Sequence, residues 1–433
     1  MAIQTDKALR GKVLYSVFVR NHSEQGDFNG VRKDLPRIKH LGADIIWLMP
    51  IHPIGAACRK GTEGSPYAIR DYRAVNPAYG TEEDLRSLTE EAHRLGMRVI
   101  IDVVYNHTSP DSVLAKEHPE WFWHRPDGSP GNRVGDWTDI IDLDYSHREL
   151  WDYQAETLCR WAGIVDGFRC DVASLVPLAF WQYAREKVDK VRPDCLWLAE
   201  SVETSFVRDM RAAGCSCLSD SEIFRAFDIS YEYDSYPLFL DYLEGKCTLQ
   251  DYADRLNLQE SIYPENYVKL RFLENHDKPR AAFLIPDERQ RRNWTAFLFF
   301  QKGMPMLYAG QEYGACHLPE LFEKDRAECP TEMPLTPKEL DQHDFIRRLC
   351  EIRRRPEFID SRYEVKALPG DILLAEQRGP EGRLLGIFSV KGNSGVISVN
   401  LPDGQYRNLV SEENVEVKLG KITVTGEPMI VKA

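Results

Sequence analysis

Residues 167–174 read "GFRCDVAS", placing an arginine and an aspartate two apart in a run that otherwise has the composition of a buried strand. Alternate side chains of an extended strand share a face, so Arg169 and Asp171 point one way while Phe168, Cys170 and Val172 point the other. Inside a closed barrel such a charged face has a use. A lone carboxylate is costly to ionise there, but a guanidinium within a few ångströms, near the barrel's open end, holds it charged and ready. Taken alone, the pair is read equally well as an ion pair that fixes strand register.

The rest of the chain favours the barrel. Short apolar runs alternate with longer amphipathic ones, the rhythm of βα units around a parallel sheet. Strands are predicted at "VLYSVFV" (from Val13), "ADIIWLMP" (Ala43), "RVIIDVVYNH" (Arg98), "DGFRCDVA" (Asp166), "CLWLAES" (Cys195), "CSCLSD" (Cys215), "VKLRFLENHD" (Val268) and "MPMLYAG" (Met304). Eight is the count of a (β/α)8 TIM barrel. Between them, "GTEEDLRSLTEEAHRLG" has a helix's punctuation: Thr81 as N-cap, Glu82, Glu83 and Asp84 in the first turn, Gly96 as the stop.

The rhythm breaks once, because roughly sixty residues separate the third strand from the fourth where a few would do. That segment is rich in Pro, Gly, Asp and Trp and predicts a short inserted subdomain. Beyond Arg355, short alternating runs such as "ILLAEQRG", "RLLGIFSVKG" and "KITVTG" predict a C-terminal antiparallel β-sandwich. The expected division is a barrel over 1–106 and 151–355, an insert over 107–150, and the sandwich over 356–433.

Composition narrows the partners. The 433 residues are 43% hydrophobic, enough for a sizeable core. Lys and Arg total 55 against 68 Asp and Glu, and the net charge of -13 argues against nucleic acid or an anionic membrane surface. The opening "MAIQTDKALRGK" has no apolar stretch of signal-peptide length and no run of about 18 apolar residues follows, so a cytoplasmic location is expected. The ten cysteines lack the pattern of a disulfide framework, and Cys215 and Cys217 lack a second pair or flanking histidines for a metal site.

In a parallel barrel, functional groups collect at strand C-termini. The third predicted strand ends "IIDVVYNH", the fifth "LWLAES" and the seventh "FLENHD", which brings Asp102, Asn106, His107, Glu200, His276 and Asp277 to the rim occupied by Arg169 and Asp171. So many costly polar ends are hard to justify in a purely structural protein.

With these motifs the chain resembles the α-amylase family, glycoside hydrolase family thirteen. The likeness runs from "LYSVFVRNHS" and "GDFNGVRKDLPRIKHLGADIIWLMPIHP" through "SPYAIRDYRAVNPAYGTEEDL" and "DVVYNHTS" to "GFRCDVAS", "LAES" and "ENHDKPR". It implies a retaining α-glucoside hydrolase acting on starch-derived glucans or maltooligosaccharides, with Asp171 as nucleophile, Glu200 as acid/base and Asp277 as the third carboxylate. Such chemistry needs two carboxyl groups about 5–5.5 Å apart. The apolar strand "CLWLA" suits Glu200 to the acid role, since desolvation raises a carboxyl pKa. The resemblance further implies that His107 and His276 bind the sugar as neutral imidazoles, that Tyr67 stacks on its ring, and that Arg169 orients the nucleophile with Asp102 as second partner.

Asn106 matches an asparagine that binds calcium in many members. The stretch after the fourth-strand motif, "SLVPLAF", offers no histidine or carboxylate, so the donor set for a structural calcium is incomplete. No cofactor is required by the chemistry. Pro66 stands where many α-amylases have glycine, and "DVA" resembles the neopullulanase and cyclomaltodextrinase relatives, Val172 in particular those that accept α-1,6 bonds. A compact insert without a long extra N-terminal domain fits a three-part enzyme acting on soluble oligosaccharides. Two other readings stand beside the hydrolase: a glucanotransferase or trehalose synthase-like transferase on the same scaffold, and a non-catalytic carbohydrate-binding relative, disfavoured because all three carboxylates are present. The motifs do not encode linkage preference, endo or exo action, or the choice between monomer and dimer.

Overall fold

The computed structural model describes residues 4–135, 137–325 and 336–433. Eight parallel strands close a barrel: β1 (Leu14–Val17), β2 (Ile45–Leu48), β3 (Arg98–Val103), β4 (Gly167–Cys170), β5 (Leu196–Ala199), β6 (Ile229–Tyr231), β7 (Val268–Arg271) and β8 (Met304–Tyr308). Each strand neighbours those before and after it in sequence, and β8 closes onto β1. The strands are buried almost throughout, because helices cover the outside and side chains fill the inside. The register sets Asp102 of β3 beside Arg169 of β4, so both project from the same face of neighbouring staves.

Gly167 opens β4 for a steric reason. A Cβ there would come within 2.4 Å of the Leu196 carbonyl oxygen on β5, so only glycine lets the two strands meet in this register.

The sixth strand departs from the sequence reading. "CSCLSD" forms a loop, tied by Leu218 N–H to the Ser174 carbonyl at 2.7 Å, and ends in a capping box. Ser219 and Glu222 satisfy each other's backbone groups and start the short helix Asp220–Ile223, which outweighs the weak alternation of the preceding residues. The barrel takes its sixth strand from Ile229–Tyr231 instead, three residues flanked by Asp228 and Glu232. The helix Glu82–Arg94 follows the reading, with Thr81 and Asp84 forming a reciprocal cap.

The excursion after β3 carries a two-residue antiparallel pair, His107–Thr108 with Ile141–Asp142. Trp121 belongs to its packing, buried and stacked on His118 at 3.7 Å. At the C-terminal end, two four-stranded antiparallel sheets enclose an apolar cluster that includes Ile387, Val417, Ile422 and Val424. The outer face of one of them meets the barrel through Phe388, against Phe297 and Phe300 of the helix Glu288–Phe300. Among the described residues Cys170, Cys195, Cys217 and Cys350 are free and buried. Among the described residues no helix is long and apolar enough to cross a membrane.

Candidate active site

Asp171 and Glu200 each sit one residue beyond the assigned end of a strand. The ladder continues under them: Asp171 N–H donates to the Val103 carbonyl and Glu200 N–H to the Cys170 carbonyl, both at 3.0 Å. Two adjacent staves therefore deliver the two acids side by side at the rim.

Arg169 lies between them, fully buried. Its Nη1 donates to both oxygens of Asp102, at 2.9 and 3.0 Å, and to Asp171 Oδ1 at 2.9 Å, while Nε donates to the Tyr231 hydroxyl at 3.3 Å. Nη2 lies 2.9 Å from Glu200 Oε2 but off the line of its N–H bonds, so that contact is electrostatic. Aromatic rings box the guanidinium, Trp47 at 5.0 Å, Tyr231 at 5.4 Å and Tyr67 at 5.7 Å.

One guanidinium thus faces three buried carboxyl groups. Burial pushes Glu200 up to about 7 and Asp171 up to about 6, with Arg169 offsetting part of the shift and the neighbouring anions adding to it. Burial likewise lifts Asp102 to about 6. A proton shared among these groups rests most readily on Glu200, the assignment an acid beside a nucleophile needs.

The residue after Asp171 is strained. Val172 has φ 36° and ψ 43°, a left-handed conformation that a β-branched residue rarely adopts. That turn directs its N–H at Glu200 Oε2, 2.8 Å away, and fixes the carboxyl group that must move a proton.

Asp277 reaches the site from the loop after β7, with its N–H on Asn275 Oδ1 at 2.8 Å. His276 Nε2 lies 3.1 Å from Asp277 Oδ2 and 2.7 Å from the Tyr67 hydroxyl, which in turn donates to Asp102 Oδ2 at 3.2 Å. A polar chain so links Asp277 to Asp171 through His276, Tyr67, Asp102 and Arg169. Burial pushes Asp277 up, but the charge and hydrogen bond of His276 outweigh it and hold it down at about 2. Burial also lowers His276, yet Asp277 more than offsets this and raises it. Asp277, an anion 3.1 Å away, thus favours the protonated imidazole over the neutral one.

His107 keeps to the neutral form, lowered to about 4 by burial. Its Nδ1 faces Asn106 Nδ2 at 3.1 Å and acts as acceptor, so the proton sits on Nε2, 4.0 Å from Asp171 Oδ2.

These groups open onto a cavity of about 370 Å3, lined by Tyr67, His107, Asp171, Glu200 and Asp277. Arg169, His276 and Asp102 stand behind this wall and act on it from below. The structure also brings Lys60, Trp137 and Phe322 to the cavity, and the sequence reading missed Lys60 and Phe322. Trp137 was visible as one of several insert tryptophans, whereas Lys60 and Phe322 sit in loops without periodicity and gave no signal. Trp47 was legible only as a strand residue, and Tyr231 lies on the sixth strand, which the sequence reading did not find.

The residues around Asn106 do not fit a calcium ion. Asn106 turns its amide nitrogen toward His107 and toward Asp142 Oδ1 at 3.5 Å. Asp142 Oδ2 accepts the Arg133 backbone N–H at 2.8 Å and faces Arg133 Nη1 at 3.5 Å. The acid is thus already met by a cationic side chain and amide donors. Among the described residues no three acidic, histidine or cysteine side chains converge as metal ligands.

Comparison with known proteins agrees with this arrangement. Residues 15–350 match the description "Alpha amylase, catalytic domain" and residues 364–431 match "Bacterial Alpha amylase C-terminal domain". The crystal structure of an alpha-amylase from Lactobacillus plantarum superposes with a TM-score of 0.94 at 46% identity, covering 99% of this chain and 100% of that one. A noncanonic maltogenic alpha-amylase, AmyB from Thermotoga neapolitana, superposes at 0.86 with 34% identity, over 98% of this chain and 99% of that one. An alpha-1,4-glucan:maltose-1-phosphate maltosyltransferase from Myxococcus xanthus is 34% identical over 267 residues, 56% of this chain and 37% of that one. The chain spans about a third to two thirds of the length of the curated amylases and maltosyltransferases it matches.

Proposed function

The chain belongs to the alpha-amylase family of glycoside hydrolases and transferases, and we propose that it hydrolyses α-1,4-glucosidic bonds of starch-derived glucans or maltooligosaccharides with retention of configuration. In this reading Asp171 attacks the anomeric carbon while Glu200 gives its proton to the leaving oxygen. The glycosyl-enzyme ester then breaks when Glu200, now a base, takes a proton from the attacking water. Asp277 and His276 bind hydroxyls of the distorted sugar, His107 donates from Nε2, and Tyr67 stacks on the ring.

The observation that carries the proposal is the pairing of Asp171 and Glu200 on the two ends of one buried guanidinium, with the acid lifted to about 7. The test is to digest maltoheptaose and follow the anomer formed first by NMR. Initial release of the α-anomer is expected, and initial β-anomer would refute the double displacement.

A transferase on the same scaffold is the second reading, favoured by the likeness to the Myxococcus xanthus maltosyltransferase. It predicts products longer than the substrate when maltotriose is supplied in excess. The site needs no cofactor, and the Arg133 contact with Asp142 supports activity without calcium. A cytoplasmic location is supported by the free thiols of Cys159, Cys170, Cys195, Cys217 and Cys350, which suit a reducing compartment. The net charge of -13 supports a neutral sugar rather than a polyanion as partner.

A further inference from the structure

The catalytic cavity is also lined by residues with no role in the proposed chemistry. Lys60, from the loop after β2, reaches across to the insert and pairs with Asp139 at 2.9 Å. Asp139 is buried, with 7% of its side chain exposed, and anchors the Lys60 side chain, which is 37% exposed. The Lys60 ammonium also lies 6.0 Å from the ring of Phe322, which comes from the loop after β8. Lys60, Asp139 and Phe322 line the same cavity as Asp171 and Glu200.

The two loops are clamped together. Glu63 N–H donates to the Phe322 carbonyl at 2.9 Å, Thr62 N–H to Glu323 Oε1 at 3.0 Å, and Arg20 Nη1 to the Leu321 carbonyl at 3.1 Å. Gly61 has φ 63°, and a Cβ there would approach the Phe322 carbonyl oxygen to 2.5 Å. Glycine is what lets the loops meet this closely. The closure is therefore a fitted contact between three chain segments.

Direction follows from the acids. The bond to be cut lies between Asp171, which takes the anomeric carbon, and Glu200, which serves the leaving oxygen. Leu175, Pro177, Met210 and Cys215, from the segments that follow these two acids, line a second and larger cavity of about 740 Å3. The leaving part of the chain has room there. A retained part laid past Tyr67 and Asp277 meets Lys60, Asp139 and Phe322, which line the same cavity.

We infer that the Lys60–Asp139 pair and Phe322 form a specificity-determining end wall, which limits the glycone to about two pyranose units in a pocket of about 370 Å3, small among ligand sites. A glucan then enters by its non-reducing end, and the protein trims short units from that end rather than cutting internally. The inference rests on the glucan-cleaving reading above and goes further by naming the end attacked.

Two maltoheptaosides carrying a reducing-end chromophore test it, one free and one blocked by a 4,6-O-ethylidene group on its non-reducing glucose, with every fragment separated by chromatography. The parent protein is expected to shorten the free substrate stepwise by one or two units and to cleave the blocked one at least ~100-fold more slowly, within the range of steric discrimination. In Phe322→Ala and in Lys60→Ala the ratio of blocked to free rates is expected to rise at least ~10-fold. Asp139→Asn, which weakens the pair without opening space, should raise it less. Internal cleavage of both substrates at similar rates would overturn the end wall while leaving the glucan-cleaving reading intact. No cleavage of either would overturn both.

Discussion

Two charge networks lie buried on opposite faces of the same barrel. Inside, Arg169 faces Asp102, Asp171 and Glu200. Outside, under the helices, Lys269 of β7 pairs with Asp220 at 3.1 Å and Asp234 at 3.0 Å, while Arg271 pairs with Glu232 at 3.1 Å and donates to Gln259 Oε1 at 2.7 Å. The residue types and the depth are alike, but the charge balance is not. The outer network sets two cations against three acids, adds amide and carbonyl partners, and holds Asp234 below the usual carboxylate range although burial pushes the other way, while burial still raises Glu232. The inner network sets one cation against three acids and opens onto a cavity, so burial wins and the acids rise. Neutralisation makes a buried charge cluster structural; a deficit of positive charge makes it a proton-transfer device.

The largest break in this contrast is expected from Asp171→Asn. Turnover on maltotriose should fall at least ~10,000-fold, the scale of losing a nucleophile, while maltotriose still binds by calorimetry. The thermal midpoint should hold or rise, because one of three crowded acids has become neutral. A variant with activity within tenfold of the parent would remove Asp171 from the role of nucleophile.

Lys269→Met should do the reverse. Two buried carboxylates lose their cation, and urea titration is expected to show a loss of about 3–5 kcal/mol. The kcat/KM of the folded fraction should stay within about twofold, since Lys269 faces away from the cavity.

The pH dependence sharpens the comparison. Activity should rise as Asp171 ionises near about 6 and fall as Glu200 loses its proton near about 7, a narrow bell in kcat/KM. Stability carries the opposite sign from an ordinary salt bridge. These carboxyls are raised in the folded state, so it binds more protons than the unfolded chain between about pH 4 and 7, and stability falls as pH rises through that window. Asp171→Asn should flatten the slope, and Lys269→Met should not. The lowered Asp277 adds stability that is lost only on acidification toward about 2.

The smallest effect concerns the Arg133 contact with Asp142. Chelation by EDTA is expected to shift the thermal midpoint by less than about 1 °C, because a guanidinium already faces the acid. A drop of several degrees, restored by calcium, would show that the ion competes with Arg133.

Much of this was legible before any coordinates. The Arg169 and Asp171 spacing named a shared strand face, and the polar ends of β3, β5 and β7 converge on one rim because parallel strands all point the same way. The sixth strand was not legible, since Ile229–Tyr231 is three residues long between acids and a capping box disguised its neighbour. The raised pKa of His276 escaped as well, because it depends on a 3.1 Å contact that motifs do not specify.

The sequence by itself determined the barrel, its eight-unit rhythm, and the residue types at the strand ends, because strand alternation and helix capping are local and leave their period in the chain. Only the tertiary structure decided that the cavity is walled by Lys60, Asp139 and Phe322, and that Arg133 meets Asp142. The wall joins loops remote in sequence and the Arg133 contact spans an irregular loop, so side-chain positions in both follow from packing rather than from any repeat the chain carries.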